Sequence, residues 1–288
     1  AAAPGRAARG GSTMGGPPPA RGVSSSPGEL RVVAADAARA AGALLLQRFG
    51  AAEAEDVRTK STPTDPVSEA DLAAERAIRE ILGARRPGDA ILGEEGGQSA
   101  GADTPGDSPE LRWIVDPLDG TVNYLYGIGQ WCVSVAVHDD DGALAGVVFD
   151  PLRDELFAAE RDGVPTLNGQ PLERPVRDEL ATALVATGFS YDAAERERQA
   201  AVVGALLPRV RDVRRLGSAA LDLAWTAAGR VDAYYERGGK PWDVAAGSLL
   251  CERAGLAVRR IEPRGDHEPL GLLAAPAALA DALEPLVT

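Results

Sequence analysis

The sequence predicts a mixed α/β protein (α+β), and three stretches predict it. Two opening segments carry small and apolar residues at helical spacing, a middle run of apolar residues is broken by Gly and Asp turns, and the second half alternates short strand-like and helical segments. A chain of 288 residues exceeds the usual single core. A layered α/β arrangement can still fill about 260 residues as one compact unit or two fused halves.

Taken in order, residues 29–49 read as a helix, and residues 68–82 as a second helix with Leu72, Ile78 and Ile81 as its inner stripe. Ser68, followed three residues on by Asp71, imitates a capping box and puts Asp71 in the first turn. Ile91, Leu92 and Gly93 form an apolar strand that ends in Glu94 and Glu95. Trp113, Ile114 and Val115 form another that ends at Asp116, because Pro117 bars continued pairing, and Gly120-Thr121 then turns the backbone into a helix start whose free N–H groups can face an anion. Residues 131–137, 144–149 and 155–158 read as an antiparallel meander, with His138 beside the solvated hairpin turn Asp139-Asp140-Asp141-Gly142. Beyond it come a strand at 184–186, a helix near 196–207, a segment at 212–215, a helix at 218–228, a strand at Tyr234-Tyr235, and a helix at 244–254 with Asp243 at its start.

Composition narrows the function classes. A formal net charge of -13 repels nucleic acid and anionic membrane at long range, so neither is expected as a direct partner. An anionic small molecule meets the same repulsion unless divalent cations neutralise it locally. Cys132 and Cys251 lie in apolar stretches and read as buried free thiols, not a disulfide framework. Two histidines are too few for a His-rich zinc site, and the acidic turn at 139–141 lacks the spaced ligands of a calcium loop. Residues 1–27 are rich in Ala, Gly, Pro, Arg and Ser without periodicity and are expected to be a disordered extension. They lack the apolar core of a signal peptide, Met14 offers an alternative start, and the longest apolar run, 41–46, is far too short to span a bilayer, so the expected location is cytoplasmic.

The chemistry is carried by carboxylates delivered to the ends of elements: Asp71, Glu94, Asp116, Asp119 and Asp243. Singly, each has a plainer reading. Asp119 could cap the helix that starts near Gly120, Asp116 could close a strand, and Asp71 could complete a cap. Gathered in one pocket beside a phosphate they cannot all stay ionised without a cation, and hard oxygen donors of this kind select Mg²⁺ or a close relative. Hydrolysis of a phosphate monoester needs a nucleophilic water, neutralised phosphoryl oxygens and help for the leaving alkoxide, all of which paired metal ions supply.

The run Asp116-Pro117-Leu118-Asp119-Gly120-Thr121-Val122-Asn123-Tyr124 has the form Asp-Pro-x-Asp-Gly-Thr-x-Asn-aromatic. With the Asp71 and Glu94 segments before it, and Gly217-Ser218-Ala219-Ala220, the 232–236 run and Trp242-Asp243 after it, the chain from about residue 30 onward resembles the inositol monophosphatase family of Mg²⁺-dependent, lithium-sensitive phosphatases. The resemblance implies a layered αβαβα sandwich of the sugar phosphatase type over residues 28–288, with the site between the halves. It implies two or three Mg²⁺ ions per site, a small phosphorylated polyol as substrate and a homodimer.

By the same resemblance, Glu94, Asp116 and the Leu118 carbonyl hold the metal that activates water, and Asp116, Asp119 and Asp243 hold a second metal near the leaving oxygen. Asp71 and Thr121, assisted by Glu94, position and deprotonate the water, and backbone N–H groups of Gly120 and Thr121 hold phosphate. Lys60, Asp119, Ala219, Glu236 and Asp243 contact substrate. Ala219 could instead serve helix packing and Glu236 could be a surface acid. Phe189, in the loop 188–190, departs from the small polar residue often seen there.

The expected reaction is hydrolysis of inositol monophosphate to myo-inositol and phosphate. A sibling activity on histidinol phosphate, a nucleotide 3'-phosphate or fructose 1,6-bisphosphate would keep every metal ligand. A role as a protein partner of the transcription machinery is the alternative of another class. Retention of all five carboxylates with Thr121 argues against a catalytically silent scaffold.

Overall fold

The computed structural model describes residues 25–50, 57–59, 66–99, 111–265 and 268–288. The expected N-terminal extension, apart from its last residues, and the candidate Lys60 lie outside the described residues.

The first helix, α1 (Pro27–Arg48), begins with Pro27 in its first turn and a capping box in which Glu29 N donates to Ser26 Oγ and Ser26 N to Glu29 Oε2. Strands β1 (Val57–Thr59) and β2 (Pro66–Ser68) pair antiparallel, and β2 runs straight into α2 (Glu69–Arg85), which carries Asp71 in its first turn as expected. The inner face of α2 differs from the expected stripe. Ala70, Asp71, Ala74, Glu75, Ile78 and Leu82 are buried, whereas Leu72 and Ile81 are only half-buried. Small residues on this face let α2 pack closely against α1, and two acids face inward because their partners lie in the interior.

Strands β3 (Ala90–Gly93), β4 (Gly97–Ser99) and β5 (Arg112–Asp119) follow, then the short helix α3 (Thr121–Leu125). β6 (Cys132–Asp139), β7 (Gly142–Asp150) and β8 (Glu155–Glu160) form the expected meander, extended by β9 (Thr166–Leu167) and β10 (Gln170–Pro171). Together they make an eight-stranded sheet in the order β10-β9-β8-β7-β6-β5-β3-β4, with β3 parallel to β5 and the other neighbours antiparallel. The expectation that Pro117 ends β5 is corrected. The strand continues to Asp119, and the register shifts between the pairs Asp116 with Ser134 and Asp119 with Cys132. This irregularity absorbs Pro117, whose missing N–H is tolerated where ladder bonding is interrupted.

The second half supplies β11 (Leu184–Thr187), α4 (Ala193–Leu206), β12 (Asp212–Arg214), α5 (Ala219–Ala227), β13 (Ala233–Arg237) and α6 (Pro241–Arg253), close to the expected alternation. It also contains β14 (Ala257–Ile261), β15 (Gly271–Ala275) and α7 (Ala277–Val287), for which no expectation had been drawn. The second sheet runs β12-β11-β13-β15-β14, with β11 parallel to both its neighbours.

Three apolar clusters define the layers. The first joins α1 and α2 to one face of the large sheet through Val115, Val133, Val135 and Val147. The second lies between the sheets, where α5 and α6 pack against Ile114, Ala136 and Val148 on one side and Ala186, Tyr234 and Ala274 on the other. The third packs α4 and α7 against Val185, Tyr235 and Leu273. Alternate residues of each strand thus feed opposite faces, and the result is the αβαβα sandwich. Among the described residues no helix is long and apolar enough to cross a membrane. Cys132 and Cys251 are buried free thiols, as expected.

Candidate active site

A cavity of about 410 Å³ opens between the halves. The large sheet contributes Glu94 from the turn after β3, Asp116 and Asp119 from the irregular end of β5, and Thr121 from the start of α3, while Ala219, Glu236 and Asp243 arrive from α5, β13 and α6. All of the predicted carboxylates except Asp71 line it directly. Asp71, fully buried on α2, reaches the site through Thr121: Thr121 Oγ1 lies 3.0 Å from Asp71 Oδ1 and 3.1 Å from the Leu118 carbonyl, and its single proton can serve either acceptor.

The turn that makes this possible is Gly120, at φ +98°, where an added Cβ would stand 2.9 Å from the Gln130 carbonyl oxygen. No side chain caps α3. Asp119 therefore does not cap the helix that follows it. Its Oδ2 instead accepts from Ser218 Oγ and from Ala220 N, both at 2.7 Å, so that it caps α5 from across the cavity. Asp243 Oδ2 accepts from Lys240 N at 2.7 Å in the first turn of α6.

The electrostatics are those of acids crowded away from water. Burial, then the charges of Glu94, Asp119 and Asp243, hold the Asp116 carboxyl well above its ordinary range. Burial pushes Asp119 up to about 6, against the pull of its bonds from Ser218 and Ala220. Asp243 is raised by burial and by Asp119. Asp116 Oδ1 accepts from Leu118 N at 3.0 Å, yet Oδ2 is buried without a hydrogen-bond partner among the described residues. An orphaned carboxylate oxygen amid like charges is the signature of a place where a cation belongs. Among the described residues no three His, Cys, Asp or Glu side chains already stand in coordinating geometry. The fit is therefore one of donor chemistry: Glu94, Asp116, Asp119, Asp243 and the Leu118 carbonyl offer only hard oxygens, which suit Mg²⁺ and not a softer metal.

On the far wall, Glu236 Oε2 accepts from Tyr234 O–H at 2.9 Å, and burial lifts Glu236 to about 7. Gly188 lies against this carboxylate so closely that a Cβ there would fall 1.9 Å from Oε2. Ala219 is the first residue of α5 and lines the cavity. Ala219 both lines the cavity and packs against the core between the sheets, and Glu236 faces the cavity instead of the outer surface.

The profile described as Inositol monophosphatase family matches residues 27–286. The chain belongs to the inositol monophosphatase family. An inositol-1-monophosphatase of Mycobacterium bovis is 43% identical over 271 residues, covering 90% of this chain and 93% of the relative. A Nus factor SuhB of Xylella fastidiosa is 43% identical over 220 residues, covering 76% of this chain and 77% of that protein. Among solved structures, the extragenic suppressor protein suhB of Bartonella henselae superposes with a TM-score of 0.81 at 33% identity, over 90% of this chain and 98% of the other.

Sequence reasoning missed several residues that the inositol monophosphatase fold gathers here. Asp222 is buried on α5, its Oδ1 has no partner among the described residues, and burial and Glu236 raise its carboxyl. It lies one turn beyond Ala219, and that helical spacing could have found it. Ser218, which bonds Asp119, stands in the Gly217-Ser218-Ala219-Ala220 run, whereas Cys132, whose Sγ lies 3.9 Å from Asp119 Oδ2, carries no local signal of a site.

Proposed function

We propose that this chain is a Mg²⁺-dependent phosphomonoesterase that hydrolyses inositol monophosphate to myo-inositol and phosphate. The observation that carries the reading is the convergence of Glu94, Asp116, Asp119 and Asp243 on one cavity whose floor holds the Asp71–Thr121 contact at 3.0 Å. When bound, two or three Mg²⁺ ions would neutralise the phosphoryl oxygens, acidify a water and stabilise the leaving alkoxide. Glu94, Asp116, the Leu118 carbonyl, Asp119 and Asp243 would hold them.

The remaining roles belong to the chain's own groups. Thr121 Oγ1 orients the attacking water and takes a proton from it as its own proton passes to Asp71 Oδ1, with Glu94 as a second acceptor of the water's proton. Burial of Asp71 keeps that acceptor out of bulk water, and the Leu118 carbonyl holds the hydroxyl when it is not relaying. Backbone N–H groups of Gly120 and Thr121 bind the phosphate. Ala219 and Glu236, with Asp119 and Asp243 beside them, contact the polyol, and Lys60 contacts phosphate or water near the metal site. A cytoplasmic homodimer is part of the same reading. The Xylella relative's name supports a second role, as a protein partner of the transcription machinery, that need not exclude the first.

The test is phosphate release from inositol 1-phosphate, histidinol phosphate, fructose 1,6-bisphosphate and a nucleotide 3'-phosphate, with and without Mg²⁺, beside Asp116→Asn. The expected result is Mg²⁺-dependent preference for the inositol ester, reduced roughly thousand-fold in the variant, about 4 kcal/mol of transition-state stabilisation. No turnover of any ester with Mg²⁺ present would overturn the enzyme reading and favour the protein-partner role.

A further inference from the structure

Behind the turn that presents Glu94 stands another carboxylate, Glu75, which does not line the cavity. It is 3% exposed and fully engaged: Oε2 accepts from Glu95 N at 2.8 Å, and Oε1 accepts from Gly96 N at 2.8 Å and from Arg79 Nε at 2.7 Å. Arg79 extends the grip, donating from Nη2 to the Gly97 carbonyl at 2.8 Å and from Nη1 to Ser99 Oγ at 3.0 Å. Two side chains one helical turn apart on α2 thus hold positions 95, 96, 97 and 99 of a single segment. The approach is so close that a Cβ on Gly93 would fall 2.6 Å from Glu75 Oε1, and one on Gly96 2.5 Å from it. Glycines on both sides of Glu94-Glu95 thus let the turn sit directly on the carboxylate.

Asp71, Glu75 and Arg79 follow one another at four-residue spacing and share a face of α2. The first meets Thr121 at the candidate active site, and the other two brace the turn that carries Glu94. One rigid helix therefore sets both the proton acceptor and the backbone that delivers a metal-ligating carboxylate. A charged carboxylate buried at this depth is retained only with its donors in place, and here they are the backbone N–H groups of Glu95 and Gly96 and a guanidinium.

We propose that Glu75, braced by Arg79, is a positioning residue that preorganises the 94–97 turn so that Glu94 meets the cation without first ordering its own backbone. This rests on the metal reading above. Groups that orient a ligand from behind typically change metal affinity by about 10–100-fold when removed.

The experiment compares the full chain with Glu75→Gln, Arg79→Met and, as a control elsewhere on α2, Arg85→Ala, which removes the exposed ion pair with Asp36. Three quantities are measured without substrate: Mg²⁺ binding by calorimetry, hydrogen exchange across residues 93–99, and Tm in EDTA. Expected in Glu75→Gln are faster exchange at 95 and 96 and Mg²⁺ binding weakened roughly tenfold or more. Arg79→Met should move both in the same direction by less, and it serves in place of Glu75→Gln should that variant not fold. Arg85→Ala should leave Mg²⁺ binding unchanged. Faster exchange and a lower Tm with unaltered Mg²⁺ affinity would overturn the proposal and leave Glu75 a purely structural brace. A wild-type chain that binds no Mg²⁺ would overturn the metal reading and this assignment together.

Discussion

Gly188→Ala is the smallest change that tests the far wall of the cavity. Gly188 lies one residue past the parallel pairing of Thr187 with Tyr235, beside Glu236 on the neighbouring strand. The added Cβ would stand 1.9 Å from Glu236 Oε2, 2.1 Å from Cδ and 2.3 Å from Oε1, separations no real contact reaches. The carboxylate must swing away, and its bond from Tyr234 O–H at 2.9 Å breaks. A hydrogen bond to a charged group contributes about 1.5–3 kcal/mol, so loss of a matching contact to a polyol hydroxyl should lower kcat/KM roughly 10- to 150-fold. If this wall contacts the alcohol and not the phosphate, as proposed above, most of the loss should appear in KM for inositol 1-phosphate. An aryl phosphate without hydroxyls should be turned over nearly as before. Steady-state kinetics on the two esters at saturating Mg²⁺ decides the matter. An equal fall on both would show that Glu236 serves the cavity's shape, and no fall on either would refute its contact with substrate.

Thr121→Val keeps shape while removing the hydroxyl 3.0 Å from Asp71, and should lower kcat about 10²- to 10⁴-fold with Mg²⁺ affinity measured by calorimetry unchanged. Metal-free stability should fall as pH rises. Asp119 titrates near 6 in the folded state against 3.8 for the free group, so the fold binds the proton more tightly, and the stabilisation present below the unfolded value is lost as pH climbs through about 6. Melting in EDTA across pH 4–8 checks the sign, and the rise in Tm on adding Mg²⁺ should be larger at pH 7.5 than at pH 5. Asp116→Asn removes one of the repelling buried acids and should raise Tm in EDTA, seen by differential scanning calorimetry, even as it lowers activity roughly thousand-fold.

Much of the site was legible because its pieces are local. The strand ending in Asp116 and Asp119, the glycine turn at Gly120 and the placement of Asp71 in the first turn of α2 each follow from a dozen residues or fewer. Other features were hidden because they depend on neighbours remote in sequence. The bond between Asp119 and Ser218 spans 99 residues and that between Thr121 and Asp71 spans 50. The inner face of α2 depends on remote partners in the same way: apolar periodicity favours Leu72 and Ile81, whereas the interior selects Asp71 and Glu75 because their hydrogen-bond donors are there. Pro117 marks the opposite kind of error, a local rule overridden when a register shift removed the need for its N–H.

The order of helices and strands, the family signature and the chemical character of the carboxylates are properties of the chain itself, since propensity, turn chemistry and donor hardness act over a few bonds. Tertiary structure alone decided that Asp119 caps a helix a hundred residues away, that Gly188 must lack a side chain to admit Glu236, and that Glu75 grips the turn behind Glu94. Those are contacts between surfaces of separate layers, and only packing of the layers brings a buried carboxylate within reach of the few donors that make its burial tolerable.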